Sequence, residues 1–358
     1  GGDARTRIAG LSSPERVLAA RLQHFQRVID RFSPKKRFPF VNHRLREGSE
    51  APALPEEPLV SVVIPYYNLG SYLGECVESV RASHGVRLEI VVVNDGSTDP
   101  ASLAALAALR ARRLPELRVL DLPNGGLANA RNVGAEAAAG ELVAFVDADD
   151  CVHPDFLRRA TAVLQRYPNV HLASSWVRYF GDGRGIWPSW NFDLPYLLCH
   201  NQLIPIAVVR RATFLEHGRN KSHIEYGLED YESWISLAEA GCGGVAIPEP
   251  LAFYRVRGDS MYTVLDADKK VYLYDLISAE HPGLMARYGL ELFNLQNANG
   301  PAWSWDQPTM FRCPQDRLRL QKEHAEEHLR HLEAENRQLH KDVQWHQKEL
   351  RRFTESGG

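Results

Sequence analysis

Leu59-Val60-Ser61-Val62-Val63-Ile64-Pro65 is a short run dominated by β-branched residues. Such a run, apolar without alternation, is the pattern of a strand buried on both faces in a parallel sheet. Outward from it the pattern returns at residues 88–94, 117–122 and 142–147. Helix-like stretches lie between these runs, at residues 72–83, about 100–112 and 127–139, with another after Pro154. Strands alternating with helices imply parallel βαβ units and an open α/β sheet. Ligands of such sheets sit at the carboxyl ends of the strands. Each strand end here carries polar or conformationally special residues: Pro65-Tyr66-Tyr67-Asn68, Asn94-Asp95-Gly96-Ser97, Asn124-Gly125-Gly126 and Asp147-Ala148-Asp149-Asp150.

The chain has 358 residues, 42 basic against 45 acidic, and is 44% hydrophobic. That length supports a sizeable core without staples. A net charge of −3 argues against a general nucleic-acid binder. Cys76, Cys151, Cys199, Cys242 and Cys313 form no CxxC pair, which favours reduced thiols and a cytoplasmic setting. Cys151 reads as a small buried hydrophobe. No apolar stretch is long enough for a transmembrane helix. The missing Met and the Gly-Gly pair at each end give the expectation of a piece of a longer chain.

The acidic cluster 147–150 ends an apolar run. Strand alternation puts Asp147 and Asp149 on one face, where their charges repel unless a cation joins them. Oxygen ligands suit Mg²⁺ or Mn²⁺ bridging a diphosphate. The competing reading is an acidic loop that caps the next helix. Ser97, Thr98 and Asp99 read as a turn and helix cap, whereas Asp95 can accept from a base N–H or a ribose hydroxyl. Gly125 and Gly126 permit close backbone approach. Arg131 faces either phosphate, the acidic cluster or solvent. Glu229 and Asp230 open an amphipathic helix, either as dipole partners or as a general base on a rigid helix start. Arg255 and Arg257 flank a Val, as anion binders or as the wet face of an edge strand. Trp187 and Trp190 are either acceptor-site aromatics or core.

In order and spacing these segments resemble the inverting family-two glycosyltransferases of GT-A fold, over about residues 59–262. Residues 61–68 resemble the family's opening strand, and residues 94–99 its nucleotide-binding turn. Residues 124–126 and 130–134 resemble the segment before its metal site. Asp147-Ala148-Asp149-Asp150 resembles the DxD element, Glu229-Asp230 the acidic catalytic pair, and Tyr254-Arg255 with Ser260 the terminal motif. The resemblance implies Pro65 and Tyr67 flanking the nucleotide base, Asp95 on base or ribose, and Gly126 and Arg131 beside the donor. It implies Asp147 on ribose and metal, Asp149 as metal ligand (Mn²⁺ or Mg²⁺), Asp230 as general base and Glu229 orienting the acceptor. Trp187 and Trp190 remain acceptor candidates. Two departures stand out. Arg257 replaces a frequent His, so it can bind the diphosphate but cannot ligate a metal. Residues 218–223 also differ from the family's acceptor-lining segment.

The expected partners are a nucleotide-sugar donor and a glycan or glycolipid acceptor of bacterial surface polysaccharide synthesis, in the cytoplasm or peripherally at the inner membrane face. Three domains are expected. Residues 1–58 form a helix and linker, 59–310 the GT-A domain, and 311–358 a coiled-coil helix. The last is read from a heptad seam through Leu318, Ala325, Leu329, Leu332, Asn336, Leu339, Val343, His346, Leu350 and Phe353. Asn336 in that seam favours a parallel two-stranded homo-oligomer. The alternatives are a non-catalytic nucleotide-sugar-binding module and a nucleotidyltransferase. The latter wants a Gly-rich basic loop after the first strand, which residues 65–70 do not supply.

Overall fold

The computed structural model describes residues 51–299, apart from Asp193, Tyr226, Asp259 and residues 261–266. It also describes Glu326, Leu329, Arg330, Glu333 and Arg337. The four expected strands form as β1 (Leu59–Tyr66), β2 (Arg87–Asp95), β3 (Leu117–Leu122) and β4 (Leu142–Phe145). They alternate with helices α1 (Gly70–Arg81), α2 (Pro100–Ala111) and α3 (Leu127–Ala137). β1 pairs with both β2 and β4, and β2 with β3, all in parallel. Val60, Val62, Val63 and Ile64 of β1 are fully buried, as are Ile90, Val91, Val92 and Val93 of β2. Both faces are covered, so neither strand alternates in polarity. Pro100 opens α2, and Asp99 caps it by accepting from the Ser102 amide at 2.8 Å.

β4 stops at Phe145, two residues short of the expected end. Residues 147–150 form a turn instead, closed by a 2.9 Å bond from the Asp150 amide to the Asp147 carbonyl. The strand-alternation argument for Asp147 and Asp149 therefore fails, and the turn is what gathers their carboxylates. Beyond it lie β5 (Cys151–Val152), α4 (Phe156–Arg166), β6 (Leu172–Gly181), β7 (Gly185–Trp187), α5 (Tyr196–Cys199), β8 (Val208–Arg210) and α6 (Arg211–His217). They are followed by α7 (Glu229–Glu239), β9 (Gly244–Val256), α8 (Ala267–Glu280) and α9 (Pro282–Asn299). The sheet runs β3-β2-β1-β4-β8-β6-β9-β5, with β7 on β6. It is parallel through β1 to β4. Beyond them it is mixed, because β8 joins β4 antiparallel and β6 pairs with β9 in parallel. The β5–β9 pairing, Cys151 opposite Phe253, carries the end of β9 beside the acidic turn.

α7, expected to be amphipathic, is buried on nearly every side, including Glu229, Asp230, Glu232 and Ser233. A helix covered all round belongs to the interior. The chain divides into two compact units, one ending at Arg287 and one beginning at Tyr288. In the second, Glu333 and Arg337 are helical and pair one turn apart at 3.9 Å. Leu329 of the heptad seam is helical and exposed. The rest of the seam, and the expected N-terminal helix, lie outside the described residues. Among the described residues no helix is long and apolar enough to cross a membrane.

Candidate functional site

Parallel pairing brings the loops after β1, β2, β3 and β4 to one edge. Asn68, at φ 53°, fastens the first loop to the second. Its side-chain oxygen accepts from the Thr98 and Asp99 amides at 2.9 and 3.0 Å, and its own amide donates to Ser97 Oγ at 3.1 Å. Asp95 fastens the second loop to the third. Its two carboxylate oxygens accept from the Gly125 and Gly126 amides at 2.8 and 2.9 Å. Gly126 needs its positive φ of 86°, and a Cβ there would meet nothing within 4 Å, so open space lies above the loop. Pro65 is buried inside β1 opposite Val93, so of the two residues expected to flank a base only Tyr67 presents an exposed face.

Arg131 is turned inward. It is 2% exposed and lies on α3. Its Nη2 donates to Asp147 Oδ1 at 2.7 Å, and its Nη1 donates to Glu229 Oε1. Both arms of its fork thus meet carboxylates, so of its open readings it faces the acidic cluster in this structure. Burial opposes its charge, but Asp147, Glu229 and Asp230 outweigh burial and hold it protonated. Asn132, the next residue, exchanges two bonds with the Asn220 backbone at 2.8 and 3.0 Å. The Asn220 amide side chain in turn donates to the Glu229 carbonyl at 3.1 Å. α3 therefore holds the start of α7 through two neighbouring side chains.

Asp230 is the second residue of α7. Burial first, then the neighbouring Glu229 charge, push its carboxyl up to about 7 against the pull of Arg131. A carboxylate with a value near neutrality, held on a helix start, is suited to take a proton.

The acidic turn divides into three environments. Asp147 is bound to Arg131. Asp149 Oδ2 accepts from Arg257 Nε at 2.9 Å, and burial together with the Asp147 charge raises its value. Asp150 Oδ1 accepts from the Arg255 amide at 2.7 Å, while its Oδ2 is buried with no partner in the protein. Burial, then the charges of Asp149 and Asp147, push Asp150 well above the usual carboxylate range. Arg255 donates from Nε to the Asp149 carbonyl at 2.7 Å and pairs with Glu75. Its guanidinium lies 4.2 Å from the Phe180 ring centroid and 4.9 Å from that of Tyr72, and the Arg257 guanidinium lies 5.3 Å from the same Tyr72 ring. The sequence reading missed this aromatic shelf. Tyr72 sits in α1 and Phe180 at the end of β6, and only the β9 pairings join them. Burial also raises the thiols of Cys76 and Cys151, as expected of inert packing groups.

Trp187 is half-buried at the end of β7, its ring edge-on to His200 at 6.4 Å, whereas Trp190 is 63% exposed. Among the described residues no group of three or more His, Cys, Asp or Glu side chains gathers as a metal cage.

The model of the family described as Glycosyl transferase family 2 matches residues 61–222. The succinoglycan biosynthesis protein ExoO of Rhizobium meliloti is 31% identical over 261 residues, covering 67% of this chain and 72% of that protein. The uncharacterized glycosyltransferase EpsJ of Bacillus subtilis is 39% identical over 104 residues, 29% of this chain and 30% of EpsJ. The chain thus matches under a third of that relative's length. Residues 1–349 of S. aureus TarS, crystallised with UDP-GlcNAc, share the fold at a TM-score of 0.51 and 24% identity, over 62% of this chain and 66% of that one. Both acidic elements and the loops that hold them lie on the expected strand and helix ends, and with a relative matched over most of its length the chain belongs to glycosyl transferase family 2.

Proposed function

We propose that this chain is an inverting glycosyltransferase that moves a sugar from a nucleotide-sugar donor to an acceptor hydroxyl, with Asp230 as general base. The observation that carries the reading is the buried Asp230 carboxyl, held near 7 beside the Glu229–Arg131–Asp147 chain that ends in the acidic turn. Asp230 takes the proton of the acceptor hydroxyl as its oxygen attacks the anomeric carbon. The bond from that carbon to the diphosphate oxygen breaks, its electron pair leaves with the nucleoside diphosphate, and the anomeric configuration inverts. Glu229 orients the acceptor, itself held by its tie to Arg131. Asp95 acts on the donor by shaping the Gly125–Gly126 loop, and Tyr67 offers a face to the base.

The family implies a divalent cation, Mn²⁺ or Mg²⁺. The donor set fits one, because Asp147 and Asp149 put hard carboxylate oxygens on a single tight turn. Such ions are ordinarily held by one or two carboxylates plus substrate phosphates and water. When bound, the cation draws charge off the departing diphosphate.

The donor class is supported by the UDP-GlcNAc bound in TarS, and a surface-polysaccharide acceptor by the name of ExoO. A glycan or glycolipid acceptor would meet Trp190 and Trp187. We place the reaction in the cytoplasm, at the inner membrane face, within a catalytic domain over 59–310 and with self-association through 311–358. A transfer assay over a panel of nucleotide sugars tests the reading. Asp230→Asn should abolish transfer and spare nucleotide binding, and transfer at near wild-type rate would refute the base.

A further inference from the structure

The two arginines at the end of β9 differ in how they are held. Arg255 is tied at Nε to the Asp149 carbonyl, at Nη2 to Glu75 and at its amide to Asp150. Arg257 lies one residue beyond β9, and its Nε donates at 2.9 Å to Asp149 Oδ2. Gly258 follows, where a Cβ would meet nothing within 4 Å. Both side chains of the Arg257–Asp149 pair are mostly covered, at 16% and 14% exposure. In that setting the pair is stronger than a surface ion pair.

Two cations therefore compete for one carboxylate. A metal ion on Asp149 and the guanidinium of Arg257 on the same group each weaken the other's hold. Asp147 is likewise paired, with Arg131, which Glu229 also anchors in the interior. A diphosphate presents what a guanidinium fork binds best, paired anionic oxygens.

We propose that Arg257 is a latch on Asp149 which the donor's diphosphate draws away, so that nucleotide binding opens the metal site. The proposal rests on the donor and metal roles given above. The chain then binds nucleoside diphosphate without metal, binds metal poorly without nucleotide, and binds each more tightly in the presence of the other, as linkage requires. Metal binding ahead of nucleotide is disfavoured by the residue that holds Asp149 in the nucleotide-free state.

The test uses the full chain, calorimetry with UDP, GDP, CDP and ADP in turn, and Mn²⁺ binding followed by electron paramagnetic resonance. In the wild type one nucleotide binds without Mn²⁺, and Mn²⁺ affinity rises on the order of tenfold when that nucleotide is present. Arg257→Gln should tighten Mn²⁺ alone and weaken metal-free nucleotide, each on the order of tenfold. Arg257→Lys keeps the charge but loses the fork, so Mn²⁺ alone stays weak while metal-free nucleotide binding falls. It serves where the Gln variant does not fold. Unchanged Mn²⁺ affinity in Arg257→Gln, unchanged metal-free nucleotide affinity in either variant, or tight Mn²⁺ binding by the nucleotide-free wild type would each overturn the latch alone. Failure of every nucleotide to bind the wild type, with or without Mn²⁺, would overturn the glycosyltransferase reading itself.

Discussion

Arg131 is the point at which the two acidic elements meet, and its removal has a calculable consequence. In Arg131→Met the buried Glu229 and the partly buried Asp147 lose their shared counter-charge. Leaving a buried partner unpaired costs about 3–5 kcal/mol, a fall in Tm on the order of 10 °C for a domain of this size. The second effect falls on Asp230, whose value of about 7 already includes the lowering pull of Arg131. Loss of a close opposite charge raises a carboxyl by about one unit or more. At pH 7 the ionised fraction of Asp230 then drops from about half to about a tenth. Transfer at pH 7 falls about fivefold from this cause alone and recovers as pH rises. The sign is fixed: a base must be deprotonated, so the acid limb of the kcat profile moves upward. Arg131→Lys keeps the charge but cannot fork to both carboxylates, so its limb stays near 7 while kcat declines. The assay is kcat against pH for wild type and both variants, with Tm alongside. An Arg131→Met enzyme that retains transfer with an unmoved acid limb would show that Arg131 does not set the base.

Three further outcomes follow from other parts of the molecule. Gly134→Ala would set a Cβ 2.3 Å from Val63 Cγ1 and 3.0 Å from Val93 Cγ2, overpacking a rigid core by about 1–3 kcal/mol. A lower Tm with the pH limb unmoved is expected, and an unchanged Tm counts against the close seating of α3 on the sheet. His281 Nδ1 lies 2.7 Å from Glu239 and Nε2 lies 3.2 Å from the buried Glu232, which Lys221 approaches at 4.0 Å. Burial lowers the His281 value, but hydrogen bonds to Glu232 and Glu239 outweigh burial and raise it. Its contribution is complete below the unfolded value of about 6.5 and is lost as pH rises through the folded one. Wild-type Tm should therefore fall over that window and His281→Gln should not, and parallel profiles would refute the pairing. Trp190→Ala should leave stability within about 0.5 kcal/mol, as for most surface changes, but raise the acceptor KM. An unmoved KM removes Trp190 from the acceptor site.

Apolar runs and turn chemistry were enough to read the first four strands, the helices between them and a cap within residues 97–99, because each follows from its own local residues; the structure assigns the cap to Asp99. Arg131 shows where local reading stops. As a lone Arg on an Ala-rich helix it was open to three readings, and the deciding contact, Glu229, lies 98 positions away. Tyr72 and Phe180 escaped for the same reason. Nothing near either residue signals two guanidiniums, which arrive on β9 through its pairing with β5 and β6. The helix at Glu229 was legible in place but not in burial. Its polar residues suggested a wet face, whereas Glu232 and Ser233 are wholly covered.

The acidic turn carries the same lesson into chemistry. Three carboxylates in four residues read as one metal-binding cluster, yet each is held by a different partner. Burial raises the Asp150 value, and its Oδ1 accepts from the Arg255 backbone, so it braces the turn against β9. Asp147 and Asp149 each already hold a guanidinium. An incoming diphosphate adds negative charge to this edge, but Arg131 is locked between Asp147 and Glu229, and Arg255 is tied to Asp149 and Glu75. Arg257 holds Asp149 from just beyond β9 and, under the latch proposed above, exchanges that carboxylate for phosphate. That exchange leaves Asp149 with a bare charge in a covered site, which is the condition under which a divalent cation binds there most strongly.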